Sequence, residues 1–164
     1  MLIAVTSDTH FTKDFGQLNR LTCRFSEADL VIHAGDYSEY WVLDYFRTHF
    51  KFAGVWGNVD DNKIKKSLKE KELLQVESFR IGIFHGHGKE KTTPERAYKA
   101  FENESVDAIV FGHSHQPSIT TKNKVLMLNP GSLANKRRER WFSYILLNVS
   151  SSSLQANLIF FTDN

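Results

Sequence analysis

Two aspartates, one asparagine and four histidines stand in five short polar blocks of this sequence: Asp8-Thr9-His10, Asp36, Asn58, His85-Gly86 and His113-Ser114-His115. Each block follows an apolar run, LIAVTS, LVIHAG, FAGVWG, RIGIF and AIVFG in turn. Imidazole nitrogen together with carboxylate oxygen is a donor set for Mn, Fe, Zn, Co or Ni. Seven donors exceed what one tetrahedral ion takes and suffice for two, and a carboxylate can bridge a pair of cations. Two metals about 3.5–4 Å apart clamp both oxygens of an in-line displacement at phosphorus. Taken singly, an Asp-x-His is a capping pair and a Gly-Asp is a turn. All five blocks in one chain point instead to a dinuclear metal site.

The elements that must position these donors can be read from the runs before them. The runs are strand-like, and ligands of α/β sheets sit beyond the carboxyl ends of the strands. Neighbouring strands would therefore bring the five blocks together. Gly35, Gly57, Gly86 and Gly112 flank the donors, where backbone must turn sharply or approach closely and a phosphate needs room.

Between the strands, residues 14–26 carry Leu18, Leu21 and Phe25 at helical spacing, and residues 39–49 carry Val42, Phe46 and His49 in the same way. TPERAYKAFENE, residues 93–104, starts a third helix with Thr93 as its N-cap and Pro94 at the first helical position. The later chain reads as strand pairs: LLQVES with FRIGIF, PSITT with VLMLN across TKNK, and WFSYILLNV with LQANLIFF across SSSS. The expected class is α/β, with mixed sheets buried by helices on their outer faces.

At 164 residues the chain reads as one domain, 1–164, long enough to bury roughly 70% of its unfolded surface without staples. Its one cysteine, Cys23, allows no intrachain disulfide and fits a reducing compartment; within a helical segment it reads as a small buried hydrophobe, not a nucleophile. The short apolar start is neither a signal peptide nor a membrane span, so a cytoplasmic protein without a membrane partner is expected. With 21 basic against 19 acidic residues, the charge is too balanced to argue for nucleic acid. NKRRER, residues 135–140, is the densest basic stretch and reads as a solvated loop before it reads as an anion site. Monomer and homo-oligomer stay open.

SDTH, AGD, GNVD, HGH and GHSH resemble the five signature blocks of calcineurin-like metallophosphoesterases, and LNPGS at 128–132 resembles a further block of the small YfcE-like phosphodiesterase branch. The resemblance runs from residue 1 to about 132. It implies a four-layer fold, two mixed β-sheets packed as a sandwich and flanked by helices, with the site at one edge. It also implies that Asp8, His10 and His115 hold one metal, that Asn58, His85 and His113 hold another, and that Asp36 bridges them. The implied reaction is hydrolysis of small phosphodiesters by attack of a metal-activated water on phosphorus, with Asn58 helping to stabilise phosphoryl charge. Manganese is the expected ion, with nickel, iron, cobalt or zinc as alternatives.

Val59 departs from the larger members, which carry histidine there to protonate the leaving group or hold phosphate. Valine can do neither, and general acid catalysis is typically worth about 10²–10⁴-fold. Members of the small branch often lack this histidine too. Asp60 is retained, and its expected task is support: orienting a ligand histidine or a water. His33, inside an apolar strand, reads as a hydrogen-bonded core histidine, and His49 as a cation near a helix C-terminus. His87 reads equally as a substrate contact and as a solvated loop side chain. Tyr40, Trp41, Tyr45 and Phe46 read as core packing ahead of a partner surface. Two classes of function compete: a metal-dependent phosphodiesterase, and a non-catalytic protein-binding scaffold on the same fold, like the small retromer subunit. A scaffold is free to lose ligands, and all seven positions hold competent side chains, which favours the enzyme.

Overall fold

The computed structural model describes residues 1–11 and 14–162. Its first sheet has β1 (Leu2–Thr6), β2 (Leu30–His33) and β3 (Phe52–Gly54) in parallel, with β9 (Phe142–Val149) antiparallel to β1 and β10 (Leu154–Phe161) antiparallel to β9. Its second sheet has the order β4-β5-β6-β8-β7. There β5 (Phe79–Phe84), β6 (Ala108–Val110) and β8 (Val125–Asn129) run parallel, and β4 (Lys71–Val76) and β7 (Ser118–Lys122) close the edges antiparallel.

The period-2 alternation of strands decides the layering. Ile3 and Val5 of β1, Ile32 of β2 and Leu147 of β9 share a core with Ile81 and Ile83 of β5, Val110 of β6 and Leu128 of β8. This is the seam between the sheets. The alternate residues Ala4, Val31 and Tyr144 face outward, onto Leu18 and Leu21 of α1 (Phe15–Thr22), Val42 and Phe46 of α2 (Tyr40–His49), and Ile64 of α3 (Asn62–Ser67). On the far side, Ile109 and Met127 pack on Ala97 of α4 (Thr93–Lys99). The four-layer sandwich follows. Each buried Ile or Val contributes about 1.5–3 kcal/mol, and a one-residue slip in β1 would turn Ile3 and Val5 out of the seam, so the register is strongly fixed.

Register also levels the strand ends. Thr6 pairs with His33, His33 with Gly54, and Ile83 with Val110. The loops after β1, β2 and β3 therefore leave one edge of the first sheet, opposite those after β5 and β6.

Three expectations change. The helix expected over 14–26 is α1 followed by a 3₁₀ turn at Cys23–Phe25, and Cys23 is exposed, not buried. Leu18, Leu21 and Phe25 take the buried face, and at 100° per residue Cys23 falls away from it; its thiol donates to the Arg20 carbonyl at 2.8 Å. The N-cap of α4 is Thr92, not Thr93, because the Glu95 carboxylate reaches back to the Thr92 N–H at 2.8 Å and Oγ1 at 2.7 Å. Finally α3 has one buried residue, Ile64, too little for a periodic signal; the Asp61 side chain caps it through the Ile64 N–H at 2.8 Å. Of the aromatic residues of α2, Phe46 is fully buried and Tyr45 nearly so, while Tyr40 and Trp41 are half-buried against the same core.

Candidate metal centre

Loops from the two sheets lock together at the levelled edge. The Asp8 N–H donates to the Gly35 carbonyl at 3.0 Å, tying the β1 loop to the β2 loop. His113 N–H donates to Asp8 Oδ2 at 2.9 Å, tying the second sheet to the first. Neighbouring side chains come very close to the glycine backbone here: a Cβ on Gly57 would lie 2.1 Å from Asp36 Oδ1, and one on Gly112 would lie 1.9 Å from Ser7 Oγ. Only glycine fits either place.

Two groups of donors result. In the first, Asp8, His10 and His115 converge: His115 Nε2 lies 3.3 Å from Asp8 Oδ1 and 3.3 Å from His10 Nε2. In the second, Asp36, His85 and His113 converge, with Asn58 Oδ1 between His85 Nε2 at 3.2 Å and His113 Nδ1 at 2.8 Å. Asp36 Oδ2 faces both groups, 3.2 Å from His85 Nε2 and 3.6 Å from His10 Nε2. All seven side chains singled out in the sequence therefore meet in one place.

The donors suit cations. Among the described residues Asp8 Oδ1 is buried without a hydrogen-bond partner, a costly state for a carboxylate oxygen unless a cation meets it. The far nitrogens of three rings are already engaged: His85 Nδ1 donates to the Ala34 carbonyl at 2.7 Å, His115 Nδ1 to the Asn135 carbonyl, and His10 Nδ1 lies 3.3 Å from Ser38 Oγ. Each leaves Nε2 aimed inward, as metal-ligating histidines require.

Charge states agree. Burial pushes the Asp36 carboxyl up, but the His85 hydrogen bond and charge, the Val59 amide and His10 outweigh it and hold it at about 2. Burial likewise pushes Asp8 up, and the His10 ring facing it, with His85 and His115, turns the net shift downward. Burial lowers His113 to about 4 and lowers His115 too, so both present lone pairs at neutral pH. Burial lowers His85, but the hydrogen bond and charge of Asp36, with Asp8, more than reverse it.

Five donors, Asp8, His10, Asp36, His113 and His115, hold left-handed backbone with φ between 48° and 68°. Asp and His tolerate this region better than most residues, yet each place still costs about 1 kcal/mol or more. Such strain clusters where geometry matters more than stability.

Supporting residues complete the site. Asp60, 2% exposed, accepts from four backbone amides: Asp36 at 3.1 Å, Tyr37 at 2.7 Å, Ser38 at 3.0 Å and Gly57 at 2.7 Å. It holds the Asp36 loop against the Asn58 loop, whereas the sequence led us to expect contact with a ligand histidine or a water. Val59 donates its N–H to Asp36 Oδ1 at 3.1 Å, while its side chain is exposed. LNPGS supplies two braces that the sequence did not assign: Ser132 Oγ donates to the Asp8 carbonyl at 2.7 Å, and Asn129 Nδ2 to the Gly112 carbonyl at 3.2 Å. The signal for them was the block itself, a polar pair around Pro-Gly after an apolar strand.

The remaining histidines divide. His33 is fully buried, 3.2 Å from Thr9 Oγ1 through Nε2, accepts from the Gly35 N–H at 3.1 Å through Nδ1, and stacks on Tyr37. His87 packs between Trp56 and Phe84, with Glu70 3.5 Å from Nε2, so it is neither a free loop side chain nor a member of either donor group. His49 ends α2 and stacks on Tyr45.

Comparison with known proteins agrees with this geometry. Residues 1–152 match the calcineurin-like phosphoesterase superfamily domain. A probable metallophosphoesterase of Methanocaldococcus jannaschii is 34% identical over 134 residues, 80% of this chain and 68% of the relative. A second protein of that archaeon, named a phosphodiesterase, is 27% identical over 80% of this chain and 83% of its own length. The crystal structure of Chaetomium thermophilum Vps29 superposes with a TM-score of 0.84 over 99% of this chain and 90% of that one; at 19% identity this is a likeness of fold.

Proposed function

The chain belongs to the calcineurin-like phosphoesterase superfamily, and on that premise we propose that it is a dinuclear metal-dependent phosphodiesterase acting on small phosphodiesters. The observation that carries this reading is Asp36 Oδ2, set between His85 Nε2 at 3.2 Å and His10 Nε2 at 3.6 Å, one from each donor group. Asp8, His10 and His115 would hold one divalent ion, Asn58, His85 and His113 the other, and Asp36 both. Manganese is the ion we expect first, then nickel, iron, cobalt or zinc. Bound there, the pair would supply Lewis acidity: it would lower the pKa of water toward neutrality and offset charge on the phosphoryl group.

The chain's own groups do the rest. Asn58 turns Oδ1 to the rings and is exposed, so its amide nitrogen is left to donate to a phosphoryl oxygen. Asp60 and the Val59 amide keep Asp36 from rotating, so no reorganisation is required as charge develops. No proton donor stands at residue 59, so the leaving group departs unassisted or takes its proton from solvent. Diesters with acidic leaving groups are therefore the favoured class. His87, held by Trp56 and Glu70 beside His85, is a substrate-binding candidate.

A non-catalytic scaffold on the same fold is free to lose such donors, whereas all seven are kept here, five of them in strained backbone, and we place it second. We treat 1–164 as one domain. No helix among the described residues is long and apolar enough to cross a membrane, and an exposed, unpaired Cys23 suits the reducing cytoplasm, where we place the protein. The test is a matrix of phosphomonoesters, linear diesters and cyclic nucleotides against Mn, Ni, Co, Zn and Mg. Diester hydrolysis that requires a transition metal supports the enzyme, and no hydrolysis in any cell of the matrix contradicts it.

A further inference from the structure

NKRRER leaves the fold beside the first donor group. The Asn135 carbonyl accepts the His115 Nδ1 proton. Ser132 Oγ, which donates to the Asp8 carbonyl at 2.7 Å, accepts the Asn135 N–H at 2.7 Å. The segment is thus clamped at its base to two donor-bearing loops, unlike the free solvated loop its composition suggests. Its turn closes through the Glu139 N–H to the Lys136 carbonyl at 2.9 Å and Lys136 Nζ to the Arg140 carbonyl at 2.8 Å.

Its cations are not equivalent. Arg140 lies over the Trp141 ring, 4.9 Å from the centroid. Arg137 and Arg138 are exposed, and neither enters an ion pair among the described residues. A cavity of about 380 Å³ runs from Ser114 and His115 to Lys136, Arg137, Arg138 and Glu139. The candidate metal ligand His115 is therefore part of its wall. Three cations against one carboxylate leave a surplus of two positive charges on the lining, a match for a phosphate monoester of charge about −1.5 to −2. Planar guanidinium forks bind such groups bidentately.

Resting on the phosphodiesterase reading above, we propose that Arg137 and Arg138 form a subsite for a second phosphate carried by the substrate, on the ester arm that extends over His115. The preferred substrate is then a phosphodiester one of whose arms ends in a phosphate monoester, such as a phosphorylated nucleotide diester. The test compares thymidine 5′-(p-nitrophenyl phosphate) with the same compound bearing a 3′-phosphate, in metal-loaded wild type and in Arg137→Ala/Arg138→Ala. Wild type should prefer the 3′-phosphorylated ester by roughly tenfold in kcat/KM, and the double variant should bring the ratio near one. Lys124→Ala, a distant exposed cation, should leave the ratio as in wild type. A wild-type ratio of one, or a ratio that survives the double substitution, overturns the subsite. Calorimetric binding of thymidine 3′,5′-bisphosphate against thymidine 5′-monophosphate asks the same question without turnover. If neither ester is hydrolysed, the phosphodiesterase reading falls, while a tenfold tighter bisphosphate that depends on both arginines still upholds the subsite, and equal binding removes it.

Discussion

The Val59 amide nitrogen lies 3.1 Å from Asp36 Oδ1, the carboxylate whose other oxygen stands between His85 and His10. Residue 59 thus serves the site through its backbone, while its side chain is 45% exposed at the rim. A valine is tolerated because the side chain is not what holds Asp36.

The first prediction separates the two roles. Val59→Ala keeps the amide and should stay within about twofold of wild-type kcat/KM. Val59→His adds an acid at the rim. It should raise kcat/KM roughly tenfold for alkyl diesters, a part of what general acid catalysis supplies, and leave p-nitrophenyl esters little changed, since phenolate leaves readily. Equal changes for both classes would contradict the missing-acid explanation.

Asp60 allows a sharper test of support. Asp60→Asn is isosteric but sets an amide NH₂ against some of the four backbone donors. Leaving buried donors unmatched should cost about 2–4 kcal/mol of stability. Metal affinity should fall about 10–100-fold, the usual effect of losing an outer support. Chemical denaturation and metal titration read both. Unchanged metal affinity would show that the Asp36 loop does not need this clamp.

Much of this was legible because metal chemistry restricts residue type. Identity and strand-end position sufficed to single out Asp8, His10, Asp36, Asn58, His85, His113 and His115, which the structure brings to one place. Strands were legible through alternation, as in Ile3, Ala4 and Val5. What escaped was carried by backbone. The sequence does not show that Asp60 gathers four amides, or that the Asn135 carbonyl fixes the His115 tautomer. Neighbouring Thr92 and Thr93 compete for the cap of α4, and only the reach of Glu95 decides between them. The left-handed backbone at five donors has no one-residue signature either, because Asp and His are common outside that region.

The buried His33 should govern part of the acid sensitivity. An unfolded histidine takes its proton near 6.5, whereas burial lowers His33 to about 3. Between these values the unfolded chain binds one more proton, so this contribution is whole above 6.5 and is lost as pH falls toward 3. The slope is about 1.4 kcal/mol per pH unit. His33→Gln should remove that part of the slope in metal-free protein between pH 6 and 4, as roughly measured by urea unfolding. Identical slopes would place the acid sensitivity elsewhere.

Metal should stabilise the fold, since the donor cluster exists only in the native chain. At free metal near 100 times its Kd the gain is about 2.7 kcal/mol. Chelation should lower Tm and added Mn restore it. A Tm indifferent to both would contradict a preformed site.

The most direct measurement is the stoichiometry of metal at saturation, by equilibrium dialysis against Mn followed by elemental analysis. About two ions per chain are expected for wild type, from two donor groups sharing one carboxylate. Asp36→Asn, the same shape without the charge, should weaken both ions and lower diester hydrolysis more than any single histidine substitution. One ion or none in wild type, or an Asp36→Asn protein that holds two and keeps full activity, would contradict the shared dinuclear centre.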